Sequence, residues 1–172
     1  MTEKCEEATR PIDRSSTTVG SGLSAFAALF SFVVTGFYSW GGLLAGAVGL
    51  VLLLAGLVRG TTAPVTIGGF GLVIAGIVAG AQGAPVVSVL AGVVFAVIAW
   101  DAAGLAIGLG KQLGRGADTT RLELFHVAGS LAVGIVSAGI GYAIYVFATG
   151  GQPVGAVVFL LVGTLLLLVV LE

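Results

Sequence analysis

The sequence predicts an all-α polytopic membrane helix bundle, with six transmembrane helices arranged as three hairpins and both termini cytoplasmic. Three observations predict it. Charged residues make up 9% of the chain and hydrophobic ones 58%, with a mean hydropathy of +1.16. A soluble domain carries about a quarter charged residues, so this chain could not cover a water-facing surface. The apolar runs are continuous and close to the roughly 20 residues that cross a bilayer core. A membrane β-barrel would instead show alternating segments of about ten residues. Finally, a six-span threading puts all seven Lys and Arg residues on one side, as expected for cytoplasmic loops.

Residues 1–18 (MTEKCEEATRPIDRSSTT) are polar, mixed in charge and interrupted by Pro11. They bury no apolar area and are expected to form a disordered cytoplasmic tail. Cys5, the single cysteine, has no intramolecular partner and reads as an incidental thiol. The apolar run 23–38 exceeds a signal-peptide core and no A-x-A site follows it, so a retained first span is expected at about 19–39. Trp40-Gly41-Gly42 is read as the turn into a second span, about 41–58. Arg59-Gly-Thr-Thr-Ala ends that span, and Pro64 stands where a first helical turn tolerates proline.

The third span is expected at about 64–82 and the fourth at about 85–109, after Gly83-Ala84-Pro85. The fourth could also stop at Trp100. A fifth span over about 122–147, the turn Thr149-Gly-Gly-Gln-Pro153 and a sixth span over about 153–171 complete the 19–172 transmembrane domain. The outer turns, WGG, QGAP and TGGQP, carry no charge and are too short for an extracellular domain. Tyr38, Trp40, Tyr142, Tyr145 and Phe147 suit aromatic belts at the membrane interface.

Twenty-nine glycines and small-xxx-small spacings, such as Gly42/Gly46, Gly76/Gly80, Gly104/Gly108, Ser130/Gly134 and Ser137/Gly141, suit close helix packing in lipid. They do not choose between internal packing and homo-oligomerisation. No internal repeat pairs the first three spans with the last three, as an inverted-repeat transporter would require.

Nearly every reactive side chain outside the tail lies between Trp100 and His126. Asp101, Arg121, Glu123 and His126 form the candidate polar cluster. Asp101 admits two readings. If its helix continues to Gly110, the carboxylate lies inside a span, where an acid usually faces a cavity or a partner. If the span ends at Trp100, it is interfacial and caps or pairs with Arg121 or Lys111. Thr120-Arg-Leu-Glu123 fits a capping box, with Thr120 and Glu123 bonding each other's backbone amides at the start of the fifth helix. Glu123 and His126 share a helix face, but a di-metal site needs two Glu-x-x-His motifs and further glutamates. The chain has one histidine, so no metal and no cofactor are expected. A hydrogen bond from His126 to Asp101 or to a glutamate is the expected use of the ring. A proton relay is the sharper alternative, since histidine ordinarily titrates near neutral pH.

No nucleophile elbow, P-loop or H-E-x-x-H occurs, and no basic stripe suits nucleic acid. Lys111, Arg115 and Arg121 would form a partner-docking loop. The segment WDAAGLAIGLGKQLGRGADTTRLELFHVAGSLAVG, matching mainly over residues 100–134, resembles a haloarchaeal family of small multi-pass membrane proteins of unassigned function. The resemblance implies a polytopic helical fold in an archaeal cell membrane and transfers no catalytic residue. The residues favour a non-enzymatic subunit or scaffold of a membrane complex. Its partners would be the lipid bilayer and a membrane or cytoplasmic protein, or a second copy. The alternative is a small ion- or proton-coupled transporter or channel using Asp101 near the cytoplasmic side. A membrane enzyme ranks third.

Overall fold

The structure is a computed structural model and describes residues 15–114 and 118–148. The described residues form five helices and no strand: α1 (Thr18–Gly36), α2 (Trp40–Arg59), α3 (Thr62–Ala81), α4 (Val86–Leu113) and α5 (Thr120–Ala148). All five are long and apolar enough to cross a membrane. The expected sixth span, about 153–171, lies outside the described residues, as do most of the tail and Arg115. The chain divides into two units, 1–138 and 139–172. In the described part of the second, 139–148, the rings of Tyr142 and Tyr145 stand 6.5 Å apart.

Many of the large apolar side chains of the first unit point outward. Phe26, Leu44, Val51, Ile67 and Phe70 are each more than half exposed. Small residues occupy the inside instead: Ala28, Ala75, Ala79, Ala96, Ala99 and Ala103 have no exposed surface. This inverts a water-soluble core and suits a lipid surround, where large apolar groups lose nothing by facing out and small ones let backbones close up.

Two packings organise the bundle. The α2–α3 hairpin is the tighter. At Gly49, a Cβ would lie 2.8 Å from both the Gly68 carbonyl oxygen and the Leu72 amide nitrogen, so backbone meets backbone there. Leu53, Leu57, Val65 and Leu72 fill the remainder of that seam. The second packing joins α1 to α4, antiparallel, in steps of two helical turns. The Thr17 amide bonds the Ala106 carbonyl at 3.2 Å, the Ser24 hydroxyl bonds Ala99 O at 2.6 Å and the Ser31 hydroxyl bonds Gly92 O at 2.8 Å. Each contact lies seven residues from the next on both helices, the repeat that keeps one seam facing its partner. The buried hydroxyls of Ser24 and Ser31 are thereby satisfied by carbonyls where no water competes.

The helix boundaries depart from expectation in three places. The turn between the first two helices is not Trp40-Gly41-Gly42. Those residues are the first turn of α2, and Ser39 caps it, its hydroxyl accepting from the Gly42 amide at 2.7 Å. The glycine is needed for approach rather than for turning, because a Cβ on Gly42 would sit 3.2 Å from the Ala75 carbonyl. Nor does the tail extend to residue 18. Ser16 and Thr17 are buried, and the Ser16 hydroxyl bonds the Leu57 carbonyl at 3.0 Å. Polar composition suggested a tail, but the Ser16 hydroxyl and the Thr17 amide are bonded to carbonyls of other helices. Finally, α4 passes through Trp100 without a break, as the span of about 85–109 requires, but it ends later than that span, at Leu113, where Gly114 takes a positive φ of 82°. Substituting Ser39→Ala should lower stability by about 1 kcal/mol, since the Gly42 amide loses its acceptor. The midpoint of unfolding in mixed detergent–SDS micelles, followed by circular dichroism, measures it; an unchanged midpoint would contradict the cap.

Candidate functional site

The seven-residue register between α1 and α4 places Asp101 along the bundle. Thr17, at the start of α1, is level with Ala106. Asp101 precedes Ala106 by five residues, so it lies roughly 7–8 Å inward of that level at 1.5 Å rise per residue. The remainder of α4 to Leu113 extends beyond the start of α1 by roughly 10 Å. The extra length of this 28-residue helix is therefore an overhang at one end, and Asp101 stands inward of that overhang.

There the carboxylate meets α5. Asp101 Oδ2 accepts from His126 Nε2 at 2.8 Å and from the Ser130 hydroxyl at 2.6 Å. His126 and Ser130 are one helical turn apart, so both reach the same oxygen. An ionised carboxylate offers only acceptors, which assigns the shared proton to Nε2. Oδ1 has no hydrogen-bond partner among the described residues. The His126 and Asp101 side chains are 40% and 41% exposed. They open onto a cleft of about 1020 Å³ between α4 and α5. Its walls are apolar, with Val97, Leu105 and Val133 beside Trp100 and Phe125; Gly104 and Gly129 leave open space in it, and Gly134 lets α5 close against Val94 of α4. A polar triad thus sits on an otherwise greasy surface, and its chemistry is limited to binding a proton, a cation or a hydrogen-bonding group.

The rest of the candidate cluster is dispersed. Arg121 does not pair with Asp101; it is exposed, with its guanidinium 5.6 Å from the centre of the Phe125 ring. Lys111 is exposed ten residues further along α4. Glu123 shares a broad face with His126, yet the 60° between positions three apart aims them at different neighbours. His126 turns into the cleft, whereas Glu123 is fully buried beside Gly20 and Ala106. The hydroxyl that meets Glu123 belongs to Thr119, not Thr120. Thr119 Oγ1 donates to Glu123 Oε1 at 2.8 Å and its carbonyl accepts from the Glu123 amide at 3.0 Å. Thr120 is already the first residue of α5. Two adjacent threonines make the cap ambiguous by one residue in sequence, and the helix start decides it. Among the described residues no group of three or more His, Cys, Asp or Glu could hold a metal ion.

Sequence reasoning missed Ser130, Thr119 and Thr17. Ser130 was legible as a small packing residue, and its four-residue spacing from His126 was the available signal. Thr17 was hidden by the polar composition around it.

One family profile matches, that of a family of unknown function (DUF7519), over residues 14–168. No curated protein and no solved structure matches the chain. The profile takes in the early spans as well as the segment around Asp101, a wider reach than the resemblance over 100–134. With nearly the whole chain covered, the protein is a member of the family of unknown function DUF7519.

Proposed function

We propose that this protein is a non-enzymatic, multi-pass cell-membrane transporter or channel for a proton or small cation, with Asp101 as the residue that binds it. The observation that carries the reading is the Asp101 carboxylate, inward of the start of α1, with one oxygen held by His126 and Ser130, in the lining of a mostly apolar cleft. An ionisable group at such a depth is costly and usually serves a pathway. His126 and Ser130 orient the carboxylate and leave one oxygen for the transported species. The reading includes six spans with both termini cytoplasmic, because that threading puts every basic residue on one side. It also includes an archaeal source, which the resemblance over 100–134 implies.

The test is flux. In proteoliposomes carrying a potential, the wild-type protein should dissipate a proton or alkali-cation gradient, and Asp101→Asn should slow this at least tenfold while remaining folded. Equal flux from both proteins would sink the role of Asp101.

A subunit of a membrane complex is the second reading. It is favoured by the outward face of α5, where Ile135 and Val136 are each more than 60% exposed. Lys111, Arg115 and Arg121 would then meet the partner, and the mass of the gently extracted protein, with any co-purifying chain, tests it.

A further inference from the structure

Glu123 is the one charged side chain with no exposed surface among the described residues. Its Oε1 is satisfied by Thr119, but Oε2 has no hydrogen-bond partner. A second buried oxygen, Thr17 Oγ1, also lacks one. The two converge on the same place: a Cβ built on Gly20 would lie 3.2 Å from Glu123 Oε2 and 3.1 Å from Thr17 Oγ1. The Ala106 methyl, 2.8 Å from that point, closes a third side. The site lies at the start of α1, where segment 15–17, α1, α4 and α5 come together.

Nothing described neutralises this carboxylate. The ion pair among the described residues is His126 with Asp101, and no basic side chain reaches Glu123. A buried, unpaired carboxylate is strongly unfavourable. The positive end of α1 offsets part of the charge, as a fraction of one unit. A proton on Oε2 would remove the charge but leave a buried hydroxyl without an acceptor, and Thr17 Oγ1 would stay unpaired as well. A bridging cation satisfies both orphaned oxygens together.

We infer that Glu123 and Thr17 form a binding site for a small monovalent metal cation, of sodium size, at the junction of α1 and α5. The donors are oxygens, which suit hard ions rather than zinc or copper. One carboxylate balances one positive charge, and a divalent ion would leave an excess beside a positive helix end. The closeness of Ala106 favours sodium over the larger potassium. The bound ion ties the start of α5 to the start of α1. The inference does not depend on the role of Asp101, which lies in a separate cleft.

The experiment is thermal unfolding of the full-length protein in detergent micelles at fixed pH and ionic strength, in choline, potassium or sodium chloride. Sodium at about a hundred times its Kd should raise the midpoint by about 5 °C or more over choline, with potassium giving less than half of that. Glu123→Gln and Thr17→Val should each remove the rise. Equal midpoints in sodium and choline would overturn the site, as would a sodium-dependent rise that survives in both variants. An equal rise in potassium would overturn the sodium-sized assignment. If Glu123→Gln does not fold, Thr17→Val and direct radiolabelled-sodium binding to the wild-type protein decide, and absence of bound sodium counts against the proposal.

Discussion

Gly68→Val is expected to separate α2 from α3 and to leave little folded protein. A Cβ at this position would sit 2.5 Å from the Leu53 amide nitrogen, 2.6 Å from the Gly49 carbonyl oxygen and 2.9 Å from Leu53 Cα. All three are backbone atoms, so no rotamer change relieves the overlap and a helix must move. Overpacking of ordinary side chains costs about 1–3 kcal/mol; against rigid backbone the loss should be at least about 3 kcal/mol. Unfolding in mixed detergent–SDS micelles, read by tryptophan fluorescence, gives the number. Gly104→Ala is the contrasting variant, because nothing lies within 4 Å of its Cβ position among the described residues. That change should be neutral or stabilising by up to about 1 kcal/mol, the helix preference of alanine over glycine. Similar midpoints for the two variants would refute the assignment of tight packing to Gly68 alone.

Leu72→Ala should give the second-largest loss. Leu72 is fully buried on α3 and belongs to the same cluster as Leu53, Val65 and Trp100. In soluble proteins such a truncation costs about 2–5 kcal/mol, combining lost transfer energy with the cavity left behind. Here the unfolded helix stays in an apolar solvent, so the transfer part largely disappears and dispersion contact remains. The expected loss is therefore about 2 kcal/mol, near the lower limit. The same micelle titration measures it, and a loss above about 4 kcal/mol would show that a water-like transfer term still operates.

How far the sequence could be read depended on the physics of each feature. Membrane class and the five described helices follow from run length, because a bilayer core demands about 20 apolar residues whatever their identity. Pro64 and Pro85 mark the region where α3 and α4 begin, since proline lacks the amide that a helix interior needs. Glycine was less informative. Gly60 and Gly83 do end helices with positive φ, of 62° and 91°, whereas Gly41 and Gly42 lie inside one. Composition cannot distinguish a glycine required by a turn from one required by a neighbour's backbone.

The candidate site shows the same division. Single-chain periodicity put Glu123 and His126 on one face, and the length of the apolar run around it identified Asp101 as the acid at issue. It could not show that 60° of helix rotation sends one side chain into a cleft and the other under α1, because that depends on where the neighbouring helices stand. The sequence by itself determined the class of protein, the approximate positions of the five described helices and the short inventory of ionisable groups, since a bilayer tolerates few alternatives. Only the tertiary structure decided that Asp101 meets His126 and Ser130, and that Glu123 and Thr17 are buried together with unpaired oxygens. The reason is that helix length and polarity are local quantities, whereas the partner of a buried charge is set by the register between helices distant in sequence.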